Sequence, residues 1–348
     1  MKRPRLAEIG LTIASLSLFF GLTEATLRLA GYGPDPPLPG PMYVRSASRG
    51  YALKPGYRGE GERSPYLLHP PITINGLGMR GRDVPAGRTP GTLRIICLGD
   101  SYVFGWGVRE EETFPARLEL HLARLGRGAV EALNAGVPAY GTEQELDQLR
   151  ETGPALRPDL VVLGLVLNDA LPGGDRKGHL ALPLKTLLRR SAIYRFLGRL
   201  YQQGMLSAIA EAATTDERLR DILAYERANT EALESGLPEF EQARGLAVER
   251  IDDMAETSRR LGARFLVVIF PNRHQIEDPS YAHARFNETI ATELEDRRIE
   301  VLDLFPIYKE EARLAPLYLA DTHPGAFGHD VAARAASGRI VELQGDSP

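Results

Sequence analysis

Residues 94–101 read RIICLGDS: Arg94, the apolar run Ile95, Ile96, Cys97, Leu98, then Gly99, Asp100 and Ser101. An unbroken apolar, β-branched run closed by glycine is the pattern of a strand buried on both faces, because a half-solvated strand alternates polar with apolar side chains. Four more short runs with β-branched residues follow, at 130–134, 160–167 (LVVLGLVL), 264–270 (RFLVVIF) and 300–304. Around them apolar residues recur at helical spacing over 113–125, 143–151, 238–261, 283–296 and 326–343. Strands alternating with helices predict an α/β domain, a parallel five-stranded sheet covered by helices on both faces. Cys97 lies inside the first strand, where it reads as a small buried hydrophobe rather than a reactive thiol.

In such a sheet ligands bind at the carboxyl ends of the strands, and there this chain places its polar residues. Ser101 follows the first strand and is a candidate nucleophile, given a base for its hydroxyl and donors for the oxyanion formed on attack. After the second strand, Asn134-Ala-Gly-Val-Pro-Ala139-Tyr-Gly-Thr is a turn whose backbone amides can face that site. Asn168 closes the third run; an amide ending a buried strand needs a partner, and an oxyanion is one option. Beyond the last strand, Ala320-Asp321-Thr322-His323-Pro324 offers a base, His323, and an orienting carboxylate, Asp321, in one loop. Asp100 reads as a turn or N-cap carboxylate, His329 as a packing residue of the last helix, and Gly345-Asp346-Ser347 as a frayed tail. Tyr102, Phe104 and Trp106 suit either a pocket wall or packing under the next helix. His-Glu-x-x-His, the phosphate-cradling Gly-x-x-x-x-Gly-Lys and a calcium loop are all absent from the sequence, so no metal or cofactor is expected. Gly99-Asp-Ser-Tyr-Val103 also lacks the second glycine of the α/β-hydrolase nucleophile elbow.

Together these four blocks resemble the SGNH hydrolase superfamily, also called the GDSL esterase/lipase group. The resemblance runs from about residue 94 to 343, interrupted by a long insert, and residues 72–103 behind an N-terminal apolar segment look like a membrane-anchored bacterial branch. It implies a three-layer, flavodoxin-like domain with strand order 2-1-3-4-5 and serine esterase or acyl-transfer chemistry without metal. In those terms Ser101, His323 and Asp321 are the catalytic residues, and Ser101, Ala139 and Asn168 supply the oxyanion hole. Two departures stand out. Ala139 occupies the position of a usual glycine, which keeps the N–H and is expected to pass the tight turn to Gly141. Asp321 stands two residues before His323 where Asp-x-x-His is usual, so a triad needs an extended loop, and a Ser–His dyad is the alternative.

The N-terminus is Met1-Lys2-Arg3-Pro4-Arg5 followed by an apolar run over 9–23. It reads as a single-span signal anchor within 1–30, the alternatives being a cleaved signal and a buried helix. The basic flank would stay cytoplasmic and send the rest extracytoplasmic, to the periplasm or cell surface. Residues 31–90 hold 11 Gly and 11 Pro, a stalk or belt without strand or helix periodicity. The third domain is 91–345, with a helical insert at about 171–240. That insert holds a basic amphipathic stretch at 184–206 and an acidic one at 215–234, read as a lid or membrane-surface helix, or as two helices on the sheet edge. A net charge of −4 conceals +6 over residues 1–90 and −10 beyond, so nothing favours nucleic acid. One cysteine excludes an internal disulfide. The partners expected are an ester or acylated-sugar substrate and a membrane. The function expected is serine esterase action on a short-chain acyl ester; O-acylation of an envelope polysaccharide and a non-catalytic assembly role on the same fold are the alternatives.

Overall fold

The computed structural model describes residues 6–30, 38–60, 70–85, 90–170, 191–193, 196, 215–281 and 283–345. Contacts divide the chain into two compact units, Met1–Pro39 with Gly178–Thr214, and Gly40–Lys177 with Thr215–Pro348.

In the first unit, helix α1 (Leu6–Leu29) contains a segment, Gly10–Leu29, long and apolar enough to cross a membrane. Leu16, Leu18, Phe19, Phe20 and Leu22 stand exposed along it. Its polar interruption, Glu24, is engaged: Ser191 Oγ and the N–H groups of Ala192 and Ile193 donate to the carboxylate at 2.8–3.1 Å. Apart from residues 191–193 and 196, the basic amphipathic stretch lies outside the described residues.

The second unit is built on a parallel sheet of β5 (Thr92–Gly99), β6 (Ala129–Asn134), β7 (Leu160–Val166), β8 (Arg264–Phe270) and β9 (Glu300–Asp303), in the order β6-β5-β7-β8-β9. This is the order 2-1-3-4-5 that the resemblance implies. Helices α3 (Phe114–Arg124), α9 (Phe305–Glu311) and α10 (Ala326–Gly345) cover one face; α4 (Thr142–Leu156), α6 (Pro238–Arg260) and α8 (Arg285–Glu295) cover the other. Successive strand residues point to opposite faces, so Ile96, Leu98, Leu163 and Val267 enter one core, and Ile95, Cys97, Val162 and Val268 the other. Each large aliphatic side chain so buried contributes about 1.5–3 kcal/mol.

Residues 31–90, expected to lack strands, hold two antiparallel ladders in their described part: β1 (Tyr43–Ser46) pairs with β2 (Gly50–Leu53), and β3 (Arg58–Glu60) with β4 (Pro71–Thr73). Tyr51, Leu53, Ile72, Ile74 and Met79 are buried, and Met79 belongs to the core shared with α4 and α6. Strands of three or four residues between glycines and prolines are too short to show a period of two.

Gly136, in the turn after β6, touches the backbone of α2 (Ser101–Phe104): a Cβ there would stand 2.2 Å from Phe104 N. No flexible side chain can yield, so Gly136→Ala is expected to cost on the order of 3 kcal/mol. Thermal unfolding checks this; an unchanged Tm would contradict so close an approach.

Candidate active site

Gly99 ends β5 at φ +152, and Cβ atoms at Gly99 or Gly164 would each stand 2.4 Å from Val103 Cγ2. These glycines let α2 rise directly from the strand end. Asp100 is its N-cap, with Oδ1 accepting from Tyr102 N at 2.8 Å, and Ser101 takes the first helical position. Asn168 lies in a short 3₁₀ turn after β7 and donates from Nδ2 to Asp100 Oδ2 at 3.0 Å. An amide nitrogen carries two hydrogens, so this bond orients Asn168 and leaves a second donor.

His323 completes the pair. Its Nε2 is 3.0 Å from Ser101 Oγ, the reach proton transfer from the hydroxyl needs. Asp321 Oδ2 lies 3.3 Å from His323 Nδ1, close enough for an ion pair but out of line for a hydrogen bond. Thr322 between them adopts φ +75, rare for a β-branched residue and a strain of about 1–3 kcal/mol. That turn folds the aspartate back on the imidazole across the shortened spacing. The Tyr102 hydroxyl donates to Thr322 O at 3.2 Å, and Leu319 N donates to His323 O at 2.7 Å, holding the loop.

Ala139 lies exposed on the loop after β6, which Val137 N pins to Gly99 O at 3.0 Å. Its φ is +62, so the left-handed turn stays at Ala139 and is not passed to Gly141, which is extended at φ −124, ψ 177. The expectation about Gly141 fails because Gly141 serves as the N-cap of α4.

Ser101, Asn168 and His323 line one cavity of about 200 Å³ with Tyr102, Val166, Leu167 and Asn272. The remaining wall is one face of α5 (Thr215–Glu234): Ile222, Tyr225, Glu226, Asn229, Thr230 and Leu233, at helical spacing. The acidic half of the insert thus bounds the site, and Asn272 Nδ2 donates to Thr230 Oγ1 to fasten it. Tyr102 lines the cavity; Phe104 is fully buried; the Trp106 ring sits 6.5 Å from the His323 ring.

Several buried acids surround the site. Burial pushes Asp100 up, opposed by donation from Asn168 and Tyr102 N and by the facing His323. Burial pushes Asp169 and Glu145 well above the carboxylate range, and each has an oxygen without a partner among the described residues. Burial drives His329 down to about 3, which leaves it a neutral packing residue rather than a second base.

Glu226 is the acid that faces the cavity. Burial lifts it from 4.5 to about 7, opposed by backbone donation from Arg273 and His274, by the Arg273 guanidinium and by the nearby His323. The unfolded chain ionises this group near 4.5 and the folded chain near 7, so its stabilising share is complete below 4.5 and lost as pH climbs to 7, by up to ~3 kcal/mol. Glu226→Gln is therefore expected to raise Tm relative to the native chain more at pH 8 than at pH 5. An equal difference at both would contradict it.

No curated protein matches the chain in sequence. Among solved structures it is similar to TesA at 14% identity, covering 72% of this chain and 99% of that one, with a TM-score of 0.43. An acetylxylan esterase from Geobacillus stearothermophilus matches at 14% identity, 71% and 93% coverage, TM-score 0.40. A putative lipolytic protein of the G-D-S-L family from Desulfitobacterium hafniense DCB-2 matches at 15%, 71% and 98%, TM-score 0.38. The family model of the GDSL-like lipase/acylhydrolases matches residues 97–331, which run from β5 through the Ser101 and Asn168 turns to His323 and α10. The chain belongs to the GDSL-like lipase/acylhydrolase family and is an ester-hydrolysing enzyme.

Proposed function

We propose that the protein is a serine esterase acting on short-chain, acetyl-sized acyl esters on the extracytoplasmic side of a membrane. The observation that carries the catalytic reading is the 3.0 Å contact between Ser101 Oγ and His323 Nε2 at the mouth of strand β5. His323 takes the hydroxyl proton as Oγ attacks the ester carbonyl. The N–H groups of Ser101 and Ala139 and the free Nδ2 hydrogen of Asn168 hold the oxyanion. Collapse of the tetrahedral adduct breaks the C–O bond to the alcohol, which leaves with the proton from His323. Water then repeats the sequence on the acyl-enzyme. Asp321 stabilises the imidazolium that forms at each step, its carboxylate swinging into line with Nδ1.

A cavity of about 200 Å³ walled by Val166, Leu167, Ile222 and Leu233 supports the reading of a small acyl group. The location is supported by α1 with Lys2, Arg3 and Arg5 ahead of it, a basic flank that would stay cytoplasmic. In this reading 1–30 anchors the chain, 31–90 is a belt and 91–345 is the catalytic domain. The full-length protein in detergent should release nitrophenol from p-nitrophenyl acetate well above buffer and faster than from the octanoate ester. A rate equal to background, from folded protein, would remove the catalytic reading; preference for octanoate would remove the acyl assignment alone. Acetyl appearing on an added oligosaccharide instead of as acetate would replace hydrolysis by transfer.

A further inference from the structure

We infer that Tyr51, on β2 of the N-terminal belt, is a positioning residue that aims the Ala139 N–H at the oxyanion. This rests on the proposed role of Ala139 and assigns a positioning duty to a segment outside the residues the family model matches.

Tyr51 is 3% exposed, and its Oη lies 3.0 Å from Pro138 O and 3.1 Å from Ala139 O. One hydroxyl proton is shared between the two carbonyls on either side of the Ala139 Cα. The first contact sets the aim. In a trans peptide the C=O and the following N–H point in opposite directions from one rigid plane. Holding Pro138 O on the belt side therefore turns Ala139 N–H to the other side. It also polarises that peptide, making the N–H a better donor. The second contact holds the next peptide, which together with φ +62 at Ala139 removes the freedom of the Pro138–Ala139 plane to rotate.

The neighbouring amides are committed elsewhere: Val137 N donates to Gly99 O at 3.0 Å and Tyr140 N to Val137 O at 3.1 Å. Ala139 N–H meets no acceptor among the described residues and its residue is exposed, as a donor kept for a ligand must be. Tyr51 is itself held. Its ring packs between those of Tyr43 and Tyr140, each 5.3 Å away centre to centre, and Tyr140 Oη donates to Tyr51 O. Gln144 of α4 reaches back to Arg49 O at 2.7 Å, tying the belt to the helix that follows the oxyanion loop. A tyrosine is suited to this because its rigid ring carries the hydroxyl to a defined point, whereas alanine in the left-handed region relaxes once released.

Tyr51→Phe in the full-length protein keeps the ring and removes only the hydroxyl. With p-nitrophenyl acetate, kcat is expected to fall about tenfold with KM within twofold, and affinity for a trifluoromethyl ketone mimic of the tetrahedral adduct is expected to fall by a similar factor. Tyr308→Phe is the control: it removes a comparable buried hydroxyl, which donates to Gly328 O at 2.7 Å and touches neither Tyr51 nor Pro138 O, and should leave kcat within twofold. Unchanged kcat in Tyr51→Phe would overturn the inference. So would equal losses in both variants, or Tyr51→Phe failing to fold while Tyr308→Phe folds, since each marks a purely structural tyrosine. Activity persisting in Ser101→Ala would instead overturn the functional reading on which this rests, so the two failures are told apart.

Discussion

Ser101→Ala and His323→Ala are each expected to lower kcat for p-nitrophenyl acetate by a factor on the order of 10⁴ to 10⁶. The two groups sit 3.0 Å apart and act as one device: the hydroxyl is a poor nucleophile without the imidazole, and without the hydroxyl no acyl-enzyme forms for the imidazole to serve. The double variant should therefore be no slower than either single one. Asp321→Ala is expected to cost roughly tenfold to a hundredfold less than His323→Ala, because its carboxylate orients a base already in contact with Ser101. Steady-state kinetics on folded protein decides this. Multiplicative losses in the double variant would mean that the two residues serve different steps.

Asn168→Ala carries the second-largest expected effect, a loss of about 10² to 10³ in kcat with KM little changed, because the lost donor serves a charge that exists only in the transition state. The substitution also strips Asp100 of a donor at 3.0 Å, so a buried acid already pushed up by burial is pushed further. Asn168→Asp should be worse than alanine at neutral pH, since it brings a second carboxylate against Asp100 and repels the oxyanion. A loss confined to KM would place Asn168 in substrate binding instead.

Much of this architecture was legible in the chain, and what was not has identifiable causes. The strand at 264–270 coincides with β8 because, behind Arg264, it is apolar and buried on both faces throughout. The helix expected to end at 151 runs on to Leu156 through Gly153 and Pro154, residues that normally stop a helix. Gly153 is there for packing: a Cβ would stand 2.6 Å from Leu261 Cδ1, at the end of α6. His323 was readable from the loop it shares with Asp321 beyond β9 and α9, and Ser101 and Asn168 because each lies just beyond a strand, where an α/β sheet presents its ligand site. Asn272 obeys the same rule after β8 and was missed; its place directly behind RFLVVIF was the available signal. Glu226 and Asn229 were hidden, since on a charge-rich helix they look like any solvated face and only tertiary packing turns them toward the cavity. Tyr51 was hidden more deeply, in a glycine- and proline-rich segment whose short ladders have no period to read. The left-handed turns at Ala139 and Thr322 go against local preference and are imposed by the surrounding loops.

Whether Ser101 is an activated nucleophile is decided by treating the full-length protein with a fluorophosphonate and mapping the adduct by mass spectrometry. One adduct per chain is expected, on Ser101, abolished in Ser101→Ala and strongly slowed in His323→Ala. Folded protein that takes up no label, or label carried on any other residue, would contradict it.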